Sequence, residues 1–366
     1  MKNCISVMQL LPRLNEGGVE RGTIEMNREF VKNGLRSIVV SAGGKLSNII
    51  NQDGGIHINY DIASKNIFTF LPRIGGLRKI IDEVKPDIIH ARSRLPAWLA
   101  KFANSKNRIP FVTTVHGINS VNFYSRIMTL SDHVICVGDP VKNHIVRNYE
   151  LSPEKISVIP RGVDLDYFDP EKVNLQKKEK LREKFQLNGF YVIGVVGRIS
   201  RVKNYELIIK SIAQLTSDNR KICGLFVGGE KKTNDNYSNG LKDLANKLCP
   251  GAIRWVGSSL DMREVYSCCD VVVNASPLMG NVARTLLESV AMGKPILSTS
   301  MDGLSHLVDP GVNGFIFNAN KPNSLTEKIS VLMNNPLCNV RDTLPRSFQL
   351  ESMVNSTISV YRKLVL

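Results

Sequence analysis

Residues 191–204 read YVIGVVGRISRVKN. An apolar, β-branched run ends at Gly197, and a basic loop carrying Arg198 and Lys203 follows it. The next residues, 204–215, have the apolar spacing of a helix. Arginine offers a bidentate fork and lysine a point charge, which suits two adjacent phosphates, and the helix start adds its dipole. The stretch predicts a strand, an anion-binding loop and a helix, with a solvated basic loop as the alternative.

The same alternation of short apolar runs and longer amphipathic stretches fills the 366-residue chain. The apolar runs are continuous, as in a sheet that is covered on both faces. Strand and helix repeats of this kind predict parallel, doubly wound sheets, with helices over 22–33 and 77–84 in the first half. The length favours two domains, and the charged stretch 171–184, preceded by Pro170, predicts the boundary between them.

The charge is strongly basic, with 48 Lys and Arg against 33 Asp and Glu, or +15 overall. Residues 65–108 hold ten basic and three acidic side chains, interleaved with apolar ones such as Phe68, Leu71 and Trp98. This pattern indicates contact with an anionic membrane face, with solvated helix faces as the alternative. No recognisable nucleic-acid module or aromatic stacking ladder is present, so we expect no nucleic-acid partner.

Composition also bears on location. No apolar run approaches about 18 residues, so we expect no membrane-spanning helix. The amino-terminal residues do not read as a secretory signal, because Pro12, Arg13 and Glu16 interrupt the apolar stretch. The seven cysteines are scattered without metal-binding spacing, which favours buried, reduced thiols. We therefore expect a cytoplasmic protein.

A second candidate motif spans residues 274–288, where a strand ends in a polar loop and a helix follows. The loop amides and the helix start could hold an anion. Glu288, about two turns into the helix, could accept both hydroxyls of a ribose. A surface carboxylate is the alternative, but the apolar neighbours at 286–287 and 290–291 favour an inward position.

The first half of the chain contains further candidate ligand-binding residues. Gly17 and Gly18 follow the first predicted strand, so the backbone there can approach a ligand closely. The segment is not GxGxxG, which disfavours a nicotinamide dinucleotide site. His116 ends another strand, directly before Gly117. A cleft-edge role and a structural role for this histidine are weighted equally.

Together these motifs resemble the family 4 nucleotide-sugar glycosyltransferases, which have the GT-B fold. The matching pieces, in chain order, are GGVER (17–21), HG (116–117), VIPRGVDLDYF (158–168), GR and K (197–203), RTLLE (284–288) and AMGKP (291–295). The resemblance implies an α/β, GT-B architecture of two Rossmann-like, doubly wound parallel-sheet domains facing a central cleft. Residues 1–170 plus a C-terminal helix, 345–366, would bind the acceptor, and residues 171–344 would bind the donor.

The resemblance also implies the site and the reaction, a retaining, hexosyltransferase-like transfer from a nucleotide diphosphate sugar. Arg198 and Lys203 would stabilise the leaving diphosphate, and His116 would contact the sugar near its reacting carbon. Gly17 and Gly18 would close over the donor. Amides near Arg284 and Thr285 would touch phosphate, and Glu288 would bind the ribose. No metal or cofactor is implied, since the basic pair does a metal's work.

The implied partners are a nucleotide-sugar donor and a glycan or lipid-linked acceptor. The setting would be lipopolysaccharide or other envelope polysaccharide synthesis at the inner face of the cytoplasmic membrane. One departure matters: Gly280 stands where the family has the first Glu of a Glu-x7-Glu pair. This keeps open a non-catalytic sugar-nucleotide-binding scaffold, and a nucleotide-sugar 2-epimerase is the other alternative. The pair Asp164 and Asp166 lies in a predicted turn, where we expect no metal role.

Overall fold

A computed structural model describes residues 4–15, 17–218, 220–229, 236–259, 261–276, 283–299, 307–321 and 323–365. The chain divides into two compact units. The first unit is Met1–Gly162 together with Leu350–Leu366, and the second unit is Val163–Gln349.

Among its described residues, the first unit has a parallel sheet of seven strands with helices packed around it. The strands are β1 (Ser6–Leu10), β2 (Arg36–Ser41), β3 (Ile56–Asn59), β4 (Ile88–Ala91), β5 (Phe111–Val115), β6 (His133–Cys136) and β7 (Ile156–Val158), in the spatial order β3-β2-β1-β4-β5-β6-β7. The helices are α1 (Gly18–Lys32), α2 (Ser47–Gln52), α3 (Phe70–Val84), α4 (Arg94–Ala103), α5 (Phe123–Arg126), α6 (Asp139–Tyr149) and α13 (Leu350–Val365).

The second unit repeats this design with six described parallel strands. They are β8 (Tyr191–Val196), β9 (Ile222–Val227), β10 (Ile253–Gly257), β11 (Val271–Asn274), β12 (Ile296–Thr299) and β13 (Gly314–Phe317), in the order β10-β9-β8-β11-β12-β13. Its helices are α7 (Leu175–Lys184), α8 (Tyr205–Ser217), α9 (Asn236–Leu248), α10 (Met262–Ser267), α11 (Arg284–Ala291) and α12 (Ser324–Asn334).

The strands of both sheets are continuous apolar runs because helices cover both faces of each sheet. Every residue of β1, β5 and β9 is buried, as helices on both faces require. In each sheet the strand order reverses between the first strand and the fourth, namely β1 beside β4 and β8 beside β11. Loops leaving the carboxyl ends of such strands diverge to opposite faces and leave a crevice, where open sheets of this type bind ligands.

Two helices begin earlier than their patterns predict. The helix predicted over 22–33 starts at Gly18, and the helix predicted over 77–84 starts at Phe70. The second case has a physical reason: Pro72, Gly75 and Gly76 are poor helix formers. Proline is tolerated in the first turn, where no intrahelical N–H bond is lost. A Cβ on Gly76 would lie 2.1 Å from the hydroxyl oxygen of Tyr60, so packing selects this glycine inside the helix.

The two compact units divide between Gly162 and Val163, whereas the sequence predicts a boundary near residue 170. Val163 donates its N–H to the carbonyl of Phe348 (2.8 Å), and the ring of Phe168 packs 6.0 Å from that of Tyr266. These contacts tie 163–170 and 345–349 to the second unit. The charged stretch predicted as a boundary contains α7, whose Leu181 packs against the second unit's core.

The carboxyl-terminal helix α13 belongs to the first unit, where Tyr361 packs edge-on against Phe30 at 5.7 Å. Within the described part of the chain, no helix combines the length and apolar character needed to cross a bilayer. The cysteines are all free thiols, and five are buried. Cys4 and Cys338 are exposed, contrary to the expectation of burial.

Candidate active site

Hydrogen bonds to the backbone of Gly197 hold the basic loop that follows β8. Gly197 donates its N–H to the carbonyl of Val227 (2.9 Å), and the Tyr205 hydroxyl donates to the carbonyl of Gly197 (2.7 Å). A Cβ on Gly228 would lie 1.9 Å from the carbonyl oxygen of Gly197. Glycine at 228 therefore allows the ends of β8 and β9 to approach closely enough to fix the loop.

Lys203 is a half-buried cation that faces this loop. It ends a single 3₁₀ turn, Arg201–Lys203, and Asn204 reverses the chain in the left-handed region, with φ of 49°. The side chain returns over Gly197, its Cε 3.2 Å from the point a Cβ there would occupy. Burial lowers the pKa of Lys203. It forms no ion pair with any residue that the structure describes, so an anion would find an uncompensated charge here.

Arg198 lies in the same loop but differs in exposure. It directly follows Gly197, and its side chain is exposed. An exposed guanidinium can adjust its position to a ligand, whereas Lys203 is fixed by packing. The structure thus places the two predicted phosphate ligands on one loop, at the carboxyl end of the second unit's first strand.

Glu288 is buried inside the second unit, as its apolar neighbours predict. It is 5% exposed. Its Oε1 accepts a hydrogen bond from Nε of Arg284 (2.6 Å), and its Oε2 accepts one from the hydroxyl of Tyr266 (2.7 Å). Burial and the Glu288 carboxylate raise the pKa of Tyr266, so the phenol stays protonated as a donor. Each carboxylate oxygen keeps a further lone pair for a ribose hydroxyl.

The start of α11 positions the remaining donor candidates. Arg284 and Thr285 are the first two residues of this helix, and both are half-buried. Arg284 bonds Glu288 one turn later, so part of its guanidinium serves the helix itself. The preceding segment, which includes Gly280, lies outside the described residues. The strands that lead to the two candidate loops, β8 and β11, are hydrogen-bonded neighbours.

The close approach at Gly228 gives a test of the basic loop. We expect Gly228→Ala to lower the free energy of unfolding by about 1–3 kcal/mol, the usual range for overpacking, and to weaken nucleotide binding, because the Gly197 carbonyl must move. Gly240→Ala is a matched control within α9, with nothing within 4 Å of its Cβ. It should stabilise by about 0.5–1 kcal/mol. Urea denaturation measures both, and a neutral Gly228→Ala would contradict the packing argument.

In the first unit, the glycine pair opens α1. Gly17 precedes the helix in an extended conformation, and Gly18 is its first residue. A Cβ on Gly18 would lie 2.9 Å from Nη1 of Arg161. That guanidinium also donates from Nη2 to the carbonyl of His116 (3.4 Å). The structure therefore brings Gly18, Arg161 and His116 together near the carboxyl end of the first unit's sheet.

His116, which is half-buried, differs sharply from the buried His90. Both ring nitrogens of His90 are bonded, one to Tyr361 and one to Thr114 (2.7 Å), so His90 is structural. Neither ring nitrogen of His116, both of them buried, has a hydrogen-bond partner among the residues that the structure describes. Burial, followed by the charges of Arg161 and Arg92, holds the pKa of His116 well below its usual range. A neutral imidazole with unused nitrogens is suited to hydrogen-bond a substrate.

The Asp164 and Asp166 pair has a structural role in the turn. The Asp164 carboxylate accepts hydrogen bonds from the N–H groups of Asp166 and Tyr167, both at 3.0 Å. Asp166 pairs with Lys172. Across the described ranges, no group of three or more His, Cys, Asp or Glu side chains is arranged to hold a metal ion.

A further feature of the first unit is a chain of aromatic contacts, here called the aromatic belt. Phe70 meets Phe102 at 6.1 Å between ring centroids, Phe102 stacks on Trp98 at 5.9 Å, and Trp98 meets Phe123 at 5.2 Å. Exposed apolar side chains accompany the belt at its α3 and α5 ends: Ile67 (78%), Phe68 (89%), Leu71 (76%) and Phe123 (76%). All of these residues except Phe123 fall within the basic segment 65–108.

The sequence does not predict some residues of the candidate sites. Tyr266 supports Glu288 from α10, and no local motif marks it. Arg161 lies within the motif at 158–168, but its contact with His116 depends on how β5 and β7 are placed. The sequence also does not predict the pair formed by Arg92 and Gln9, which are buried beside each other in the first unit. A charged residue directly after a strand, as Arg92 is, was the available signal.

Two parallel-sheet α/β units, each with polar or basic loops at the carboxyl ends of its strands, are the architecture of the GT-B fold. The amino-terminal part, residues 16–167, matches the family model Glycosyltransferase Family 4, and residues 177–346 match Glycosyl transferases group 1. The two matches together span most of the chain. The chain therefore belongs to the family 4 and group 1 glycosyltransferases, which disfavours the epimerase alternative.

Individual proteins agree with this assignment. A glycosyltransferase from Rickettsia africae ESF-5 has a TM-score of 0.88 at 28% identity, covering 99% of both chains. Anabaena HepE, solved with UDP and glucose, has a TM-score of 0.84 at 19% identity, covering 97% of this chain and 98% of its own. The Escherichia coli UDP-Gal:alpha-D-GlcNAc-diphosphoundecaprenol alpha-1,3-galactosyltransferase is 25% identical over 310 residues, covering 79% of each chain.

Proposed function

We propose that this chain transfers a sugar, in the manner of a hexosyltransferase, from a nucleotide diphosphate sugar to a glycan or lipid-linked acceptor with retention of configuration. The observation that carries the proposal is Lys203, a half-buried cation without an ion-pair partner among the described residues, at the crevice of the second unit's sheet. Such a charge favours a bound pyrophosphate, and Anabaena HepE was solved with UDP.

The chemistry follows from where charge develops. The bond between the anomeric carbon and the diphosphate oxygen breaks, and its electron pair leaves with the diphosphate. The acceptor hydroxyl oxygen bonds to that carbon on the same face, and its proton passes to the departing diphosphate oxygen. Lys203 and Arg198 stabilise the growing negative charge, as preorganised cations do, so no metal is required. His116, held neutral, supplies hydrogen bonds rather than charge, and Glu288 is the ribose ligand.

The acceptor proposal draws on a relative. The Escherichia coli relative is named for an acceptor linked to undecaprenol diphosphate. We extend this class of acceptor to the present chain, and with it a role in lipopolysaccharide or another envelope polysaccharide. The reaction would then take place at the inner face of the cytoplasmic membrane.

A panel of nucleotide sugars, assayed with lipid-linked acceptors, tests the proposed function. One donor should give turnover that EDTA does not reduce, and the product linkage should keep the donor's α configuration. Tight nucleotide binding without turnover on any acceptor would instead indicate the scaffold alternative. Conversion of the donor itself to its 2-epimer would overturn the transferase assignment.

We further propose that the first unit contacts an anionic membrane through the aromatic belt and its exposed apolar neighbours. Aromatic rings and long basic side chains share a preference for the bilayer interface. Arg94 lies over the ring of Tyr124 at 5.1 Å, and Lys65 and Lys101 are exposed within the same segment. The exposed Phe68 and Leu71 would enter the headgroup region.

The combined change Phe68→Ser and Leu71→Ser should lower binding to phosphatidylglycerol vesicles at least about tenfold, because burying each side chain yields roughly 1.5–3 kcal/mol. Leu175→Ser removes an equally exposed leucine (73%) from the second unit and should leave binding unchanged. Co-sedimentation measures the effect, and added salt should weaken the wild-type binding. Equal binding by all three proteins would remove the aromatic belt from the proposal.

A further inference from the structure

A cluster of buried polar side chains lies at the carboxyl end of the first unit's sheet. Gln9 is in β1, and Arg92 and His116 directly follow β4 and β5. Gln9 is fully buried and Arg92 is 7% exposed. Nη1 of Arg92 donates to Oε1 of Gln9 at 2.9 Å. Since β1, β4 and β5 are adjacent and parallel, the three side chains occupy one region of the sheet edge.

The cluster contains several hydrogen-bonding atoms that no described residue satisfies. They are Nε2 of Gln9, Nε of Arg92, and both ring nitrogens of His116. Buried polar groups almost always have partners, and leaving one without a partner costs free energy. The neighbouring His90 shows the usual case, with both nitrogens bonded. Four such atoms in one cluster therefore indicate a group that the protein binds there.

The charge around the cluster identifies the kind of group. Two guanidiniums, those of Arg161 and Arg92, act on His116, and both disfavour its protonation. Burial lowers the pKa of Arg92, whereas Tyr361 and Glu25 act to raise it. The Glu25 carboxylate therefore offsets part of the positive charge. The free atoms of Gln9 and Arg92 are N–H donors. Donors in a region with excess positive charge match a carboxylate or phosphate oxygen.

We propose that Gln9 and Arg92, beside His116, form a subsite for an acidic substituent, a carboxylate or a phosphate, carried by a sugar substrate. The inference rests on the proposed function, because it takes the ligand to be part of the donor or the acceptor. Arg92 and Gln9 are binding residues here: they select a substrate that carries negative charge and reject its neutral counterpart.

The test compares matched probes by calorimetry, in two arms; within each arm one probe, called acidic here, carries the additional acidic group and the other lacks it. The first arm uses UDP-glucuronic acid against UDP-glucose. The second uses a water-soluble prenyl diphosphate N-acetylglucosamine against the corresponding neutral prenyl glycoside. We expect wild type to prefer the acidic probe by at least about tenfold in one arm, which also distinguishes donor carboxylate from acceptor phosphate. Arg92→Gln should lower the affinity for the acidic probe at least about tenfold and so abolish that preference.

Controls separate recognition from folding. Arg147→Gln removes an exposed arginine of α6 and should retain the preference. If circular dichroism shows that Arg92→Gln is unfolded, Arg92→Lys and Gln9→Leu take its place, and each should reduce the preference in part. A wild type without preference in both arms, or an unchanged preference in the folded variants, overturns the subsite. Binding of no nucleotide sugar at all would count against the proposed function, while the prenyl arm would still test the subsite.

Discussion

Lys203→Ala is expected to lower kcat for sugar transfer about 100- to 1,000-fold, the range found when one preorganised donor to a developing anion is removed. The ammonium is half-buried and folded over Gly197, so water cannot replace it in the same position. A loss in kcat with a smaller change in KM would show that the charge acts mainly on the leaving diphosphate.

A matched control is available on the adjoining helix. Lys210 lies in α8 and is exposed, so Lys210→Ala should keep full activity. Lys203→Arg keeps the charge, but the rigid fork does not match a point charge packed against Gly197; partial activity is expected. If Lys203→Ala transfers sugar as fast as wild type on its true donor, Lys203 does not stabilise the leaving diphosphate.

The sequence predicts the fold class well because both sheets are buried on both faces. Their strands are continuous apolar runs, and a run such as 191–196 reads as a strand without tertiary information. The limits of helices and units are harder to predict. The first turns of α3 are hard to predict because they contain proline and glycines. The packing of Phe168 against Tyr266 assigns residues 163–170 to the second unit, and no local sequence pattern indicates this contact.

The residues of the candidate site also fall into two groups, those that the sequence predicts and those that it does not. Lys203 and Glu288 can be predicted from the sequence, because each lies in a loop or helix that the residue spacing indicates. The burial of Glu288 follows from its apolar neighbours. Partners from distant segments cannot be read in this manner. Tyr266 reaches Glu288 across 22 residues, and Gln9 meets Arg92 across 83. Only the tertiary fold brings such pairs together, so the sequence shows Arg92 as one more member of a basic segment.

Glu288→Ala should lower the free energy of unfolding by about 3–5 kcal/mol, the cost of removing one partner from a buried ion pair. The Arg284 side chain is 10% exposed and that of Glu288 is 6% exposed, with 2.6 Å between Nε and Oε1. The change also removes the acceptor of the Tyr266 hydroxyl. Urea denaturation gives the value, and Glu179→Ala, at an exposed position on α7, should stay within about 0.5 kcal/mol of wild type.

The double change Arg284→Met with Glu288→Leu distinguishes a structural role from a ligand role. If the carboxylate mainly neutralises Arg284, replacing both charges with apolar side chains should restore much of the stability, because a buried pair contributes little net free energy relative to apolar packing. The cycle of single and double variants measures that coupling. Donor binding should remain weak in the stable double variant, since no carboxylate is left for the ribose. A double variant that regains both stability and donor affinity would show that Glu288 serves the fold alone.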